Sequence, residues 1–179
     1  IARDAGLKIV AHMMPNLPPD PDPERDYLDF VELFENPDFR PDMLKIYPTM
    51  VMKGTKLYYM WKNAEYKPYD TKTATEILSE FYRYIPEYVR VMRVQRDIPV
   101  QLISDGVTNS NLRQLVEKRA EEKGIKIREI RYREFGLSAY KKAERLAEFS
   151  QTEFNPKIKM IKYKASKGTE YFISYEDER

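Results

Sequence analysis

The sequence predicts an α/β fold: a parallel sheet or part of a (βα) barrel, followed by a small basic module that ends in a β-hairpin. Three observations predict it. Short apolar segments around Val10, Leu44 and Val91 alternate with stretches of helical periodicity, a βαβαβ rhythm. The stretch Tyr88 to Pro99, YVRVMRVQRDIP, alternates apolar and polar residues and then ends in charge, as a barrel strand feeding an active-site mouth would. Lys157 to Ala165 and Thr169 to Tyr175 alternate on either side of Ser166-Lys167-Gly168, a hairpin signal.

The elements follow in order. LKIVAHMMP is continuously apolar, which predicts a strand covered on both faces after a glycine-terminated helix end. NLPPDPDP, with four prolines, can be neither helix nor central strand. Asp22 then caps a helix with Pro23 in its first turn, running over about 24–35 with Tyr27, Phe30, Val31 and Phe34 on one face. Asn36-Pro37 stops it. Met43 to Tyr47 is a short strand in which Leu44 and Ile46 face one layer and Lys45 interrupts the apolar run. KGT caps a short helix bearing Leu57, Tyr58, Met60 and Trp61. Thr71 caps a helix over 71–85 whose stripe is Ala74, Ile77, Leu78, Phe81 and Ile85. In the Tyr88 strand, alternation puts Val89, Val91 and Arg93 on one face, and Arg90, Met92 and Val94 on the other. VQLISDGVTNSN is a loop with a turn at Asp105-Gly106. Ser110 or Asn109 caps a helix over 111–123, closed by Gly124. IKIREIRYREF reads as a basic strand, and 138–153 as a charged helix. A shift in composition near Gly106 divides the chain into a barrel portion, 1–105, and an appended basic module, 106–179.

Composition narrows the function. The 179 residues carry 31 Lys+Arg against 29 Asp+Glu, so nucleic-acid binding needs a local basic patch rather than a global field. With no cysteine, the chain supplies no disulfide, no thiolate metal ligand and no cysteine nucleophile. One histidine disfavours a His-based metal site or triad. No apolar run is long enough to span a membrane. No glycine-rich phosphate loop is present. The opening IARDAGLKIV has no starter Met or basic leader, and the chain is expected to be a fragment of a longer protein.

Candidate site residues lie where strands should end. His12 stands near the end of the first strand, as a buried structural histidine or a functional one. Lys45 is a cation inside a strand, snorkelling at an edge or pointing into a barrel. Gln95, Arg96 and Asp97 close the Tyr88 strand as charged caps or as groups at an active-site mouth. The aromatic and lysine-rich 53–69 segment can stack and neutralise RNA or can cover a core. Lys126, Arg128, Arg131 and Arg133 form a solvated face neutralised by Glu129 and Glu134, or a phosphate-contacting patch.

VAHMMPNLP, FENPDFRPDMLKIYPTMVMKGTKLYYMWK, RVMRVQRDIP, IRYREFG and EYFISYED, in that order, strongly resemble the catalytic subunit of the Elongator complex, the radical-SAM tRNA uridine(34) acetyltransferase family. The resemblance spans nearly the whole chain. It implies the second half of a partial (βα) radical-SAM barrel, then a linker toward an acetyltransferase domain. The Lys/Glu-rich composition suits an archaeal member.

The resemblance implies SAM, a 4Fe-4S cluster and acetyl-CoA for the full-length enzyme, tRNA as substrate, and a cytoplasmic setting. A homodimer is possible. The cluster cysteines lie upstream in the family and the acetyl-CoA domain downstream, so the segment alone is expected to be inactive. Many relatives carry zinc-binding linker cysteines at places that correspond here to Ile127, Glu129 and Tyr132, so no metal site is expected. Lys45, Gln95 and Arg96 are the candidate catalytic residues. His12, Lys45, Tyr47 and Gln95 are the candidates for cofactor contact. Arg93, Arg96, Arg128, Arg131 and Arg133 are the candidates for tRNA contact. The competing readings are a non-catalytic tRNA-binding α/β module and a metabolic βα-barrel enzyme.

Overall fold

The computed structural model describes residues 1–19, 21–136 and 155–177. Its centre is a three-stranded parallel sheet of β1 (Val10–Met13), β2 (Met43–Ile46) and β4 (Arg90–Val94), in the order β1-β2-β4. Between β2 and β4 the chain forms β3 (Val51–Met52), α2 (Lys56–Lys62) and α3 (Thr71–Phe81). β3 pairs antiparallel with β5 (Ile103–Asp105), which lies in the stretch expected to be loop. The helix α1 (Pro23–Glu35) begins as its sequence dictates. Asp22 accepts the Glu24 N–H, and Pro23, with no N–H to satisfy, sits in the first turn.

The core lies on one face of the sheet. Leu44, Ile46, Val91 and Val94 pack with Phe30 and Phe34 of α1, Leu78 and Phe81 of α3, and Leu112 and Val116 of α4 (Leu112–Glu122). Phe30 stacks on Phe81 with ring centroids 4.1 Å apart. Val107, Ile125 and Ile127 are buried in the same cluster, so the core runs across the division expected near Gly106.

Several expectations change. β1 is an edge strand with half-exposed residues rather than a doubly covered one, because it has a neighbour on one side only among the described residues. Asp70, not Thr71, caps α3, accepting the Thr73 N–H at 2.7 Å. That helix ends at Phe81, and Ile85 is buried beyond it. Asn111 precedes α4 without a side-chain cap. The strict alternation of β4 breaks at Met92: Leu44 faces Val91 but Lys45 faces Arg93. The extra residue is a bulge, which puts Val94 with Val91 in the core and turns Arg93 to the opposite face.

The basic stretch is not a strand. Residues 125–129 run as loop into a short helix, α5 (Ile130–Arg133). It covers the open side of β4 and satisfies that edge. Ile130 N–H donates to the Val89 carbonyl at 2.9 Å, Arg131 to the Met92 carbonyl at 2.8 Å, and Arg113 to the Val91 carbonyl at 2.5 Å. Unpaired ladder groups are costly when buried, and here side chains replace a neighbouring strand. The charged helix expected over 138–153 lies outside the described residues.

β6 (Lys157–Ala165) and β7 (Gly168–Glu176) form the expected hairpin. It docks on the sheet's N-terminal side. Tyr163 stacks on Tyr88 at 3.7 Å, Arg40 donates to the Lys164 carbonyl, and Arg133 pairs with Glu176 at 2.7 Å.

Candidate functional site

The site is built from the strand face that the helices leave uncovered. Period-two alternation puts Leu44 and Ile46 in the core and Lys45 on the other side. The register then aligns three residues across three strands: His12 faces Lys45, and Lys45 faces Arg93. The Met92 bulge is what brings Arg93 into this row. Lys45 has no ion-pair or hydrogen-bond partner among the described residues. Arg93 pairs with Asp97. Tyr47, one residue past β2, meets the His12 ring edge-on, with centroids 5.4 Å apart.

β4 ends abruptly. Gln95 donates its N–H to the Ile46 carbonyl at 2.7 Å and then takes φ of 100°, a region that side chains disfavour. The turn throws Arg96 outward. It also opens a cavity of about 440 Å³, lined by Arg93, Gln95, Arg96, Thr108, Ser110 and Arg131 among others. The Gln95 Oε1 atom is buried without a donor among the described residues. An unsatisfied acceptor at a cavity wall is available to a ligand's N–H or O–H.

Behind the cavity lies Glu129, fully buried. Its carboxylate accepts N–H groups from Val91 at 3.0 Å and from Arg131 and Tyr132 at 2.8 Å, and it faces Arg113 at 3.5 Å. Burial pushes its carboxyl above the ordinary value, against the pull of those donors. This residue fixes β4, α4 and α5 together.

The expected site residues fall into two groups. His12, Lys45, Tyr47 and Arg93 share the open sheet face, and Gln95, Arg96 and Arg131 share the cavity next to it. Arg128 and Arg133 are not brought to either place. Arg128 donates to the Arg83 carbonyl, and Arg133 to the carbonyls of Arg128 and Glu87 as well as pairing with Glu176. The positions equated with linker ligands also have other work: Ile127 is in the core and Glu129 accepts backbone N–H groups.

The chain has counterparts in sequence and fold. The family model described as the Radical_SAM C-terminal domain matches residues 41–122. Over 99% of its length the chain is 49% identical to a tRNA uridine(34) acetyltransferase of Methanocaldococcus jannaschii, and it spans 32% of that protein. It is 44% identical to human Elongator complex protein 3 over 99% of its length, spanning 31% of that protein. The archaeal Methanocaldococcus infernus Elp3 with an N-terminal deletion superposes with a TM-score of 0.87 at 46% identity, covering 98% of this chain and 40% of that one. Over nearly its whole length the chain is similar to one segment of these proteins. It spans about a third of the length of the curated relatives it matches.

Fit to the cofactors that the resemblance implies is uneven. The chain has no thiolate for an iron–sulfur cluster. Among the described residues no group of His, Asp or Glu is placed to hold a metal ion, and no helix is long and apolar enough to cross a membrane. The sheet face does fit an organic anion, because Lys45 and Arg93 present cations to a carboxylate or phosphate. Sequence reasoning missed Thr108, Ser110 and Arg113. The TNSN run just before α4 marked them as a helix start, but only the fold shows that this start adjoins the end of β4.

Proposed function

We propose that these residues form part of the reaction chamber and the RNA-facing surface of a radical-SAM enzyme that carboxymethylates the wobble uridine of tRNA using acetyl-CoA. The observation that carries this reading is the register row His12–Lys45–Arg93, continued by Gln95 and Arg96 at the end of β4. Barrel enzymes gather their reacting groups at such strand ends. The radical-SAM family name and the tRNA-modifying relatives supply the chemistry.

In this reading SAM, its cluster and acetyl-CoA supply the radical and the two-carbon group when bound, and the cluster's ligands come from outside this segment. Lys45 holds a carboxylate or thioester oxygen, with His12 and Tyr47 setting the wall beside it. Gln95 accepts a hydrogen bond from the base or cofactor through its unpartnered oxygen. Arg96, Arg93 and Arg131 take phosphates near the mouth. Residues 106–179 lead toward the acetyltransferase domain, and the segment alone has no turnover.

The test is mass spectrometry of tRNA nucleosides after anaerobic incubation of the full-length protein with SAM, acetyl-CoA, reductant and tRNA. A carboxymethyl group on the wobble uridine is expected. RNA binding without any modified nucleoside would favour the non-catalytic module instead.

A further inference from the structure

Helix α2 carries surface that the core does not use. Its seven residues include Leu57, Tyr58, Tyr59, Met60 and Trp61, yet none is buried. A helix this apolar ordinarily hides one face. Here Trp61 is tethered instead: its indole N–H donates to the Asp105 carboxylate at 2.7 Å. That bond fixes the roll of the helix and leaves Tyr59 60% exposed. The Tyr58 ring lies edge-on to Tyr59 at 5.7 Å and tilted against Trp61 at 5.6 Å, so the three rings form one ledge.

The ledge is framed by free cations. Lys53, Lys56, Lys62 and Lys67 are all exposed. Glu65 is the one acidic residue between 53 and 67, so four lysines less one glutamate leave +3 over this stretch. No carboxylate among the described residues forms an ion pair with any of the four, and Lys62 lies 5.4 Å from the centre of the Tyr58 ring. Several cations elsewhere are neutralised instead: Arg83, Arg119, Lys123 and Lys159 all sit in ion pairs.

Asp105 also links the ledge to the cavity. It ends β5, and Thr108 and Ser110, a few residues later, line the space beside Arg96. The ledge and the cavity therefore adjoin opposite ends of one short segment.

We propose that α2 and its flanking lysines are a stacking platform for the unpaired bases of the RNA that enters the cavity. This rests on the tRNA reading above. Exposed aromatics offer π-faces to bases of any sequence, and unpaired ammonium groups neutralise the phosphates between them. A duplex presents no free base faces, and an apolar protein partner would leave four ammonium groups without counter-charge. Single-stranded RNA answers both features.

The experiment measures binding of the full-length protein to two labelled RNAs, a tRNA anticodon stem–loop and a blunt duplex of equal length, across a salt series. Tyr59→Ala should weaken stem–loop binding about tenfold, leave its salt slope unchanged and spare the duplex. Tyr59→Phe should bind as the parent does. Joint Lys56→Ala and Lys62→Ala replacement should flatten the salt slope by about 1.4, at roughly 0.7 per neutralised single-strand phosphate. Lys118→Ala, an exposed cation on α4, should change neither. Parent-level stem–loop binding by Tyr59→Ala and by the double lysine variant overturns the platform and leaves the ledge to a protein partner. Equal losses by Tyr59→Ala on duplex and stem–loop also overturn it. If the parent protein binds no tRNA, the functional reading itself falls, and the platform with it.

Discussion

Glu129 shows how one side chain organises the candidate site. Its carboxylate is buried against three backbone N–H groups and Arg113. Removing it leaves three backbone donors without their acceptor in a dry place and takes one of its two carboxylate partners from Arg113. Glu129→Ala should therefore cost about 3 kcal/mol or more, read from urea unfolding midpoints, and Glu129→Gln should cost less. An Ala variant as stable as the parent would remove Glu129 from the scaffold. The arginines of the same stretch follow similar logic. Arg133 serves two carbonyls and Glu176, so Arg133→Ala should lower stability, read from urea unfolding midpoints. The sequence reading placed it in a solvated face or a phosphate-contacting patch. A charge run reads as a solvated face until the fold shows which carbonyls lie under it.

At the scale of elements, what was legible followed from period and punctuation. The prolines, Asp22 and the apolar stripe mark α1, and the two alternating runs mark the hairpin, because each is a local rule. The Met92 bulge was not legible. It depends on which residue of β2 each residue of β4 meets, and that is decided by core packing on the far face. The α5 stretch alternates like a strand, yet the Glu129 cap turns it into a helical turn against β4. Helices α3 and α4 add a lock: Lys123 meets Glu80 at 2.8 Å and Glu76 at 2.9 Å. Burial raises the Glu80 carboxyl, but its pairs with Lys123 and Arg83 outweigh that and hold it below its ordinary value of 4.5. A lowered carboxyl stabilises the fold above the unfolded value and stops doing so as pH falls through the folded one. Thermal midpoints of the parent should therefore drop more steeply below pH 4.5 than those of Glu80→Gln. Parallel acid limbs for the two proteins would dissolve the lock.

Over the described residues as a whole, the sheet divides its two faces between packing and the candidate site. One face is packed by α1, α3 and α4, and the other presents His12, Lys45 and Arg93 in register. The family's motifs were readable as a resemblance, whereas the row and the cavity required three strands from distant parts of the chain. In the proposed function the open face and the end of β4 belong to the reaction chamber. The direct measurement is the turnover rate of tRNA modification beside tRNA affinity, for Lys45→Met and Arg96→Ala in the full-length protein. Turnover should fall at least tenfold while affinity changes by much less, the pattern of groups that act in the transition state. Normal turnover in both variants, or loss of affinity alone, would contradict it.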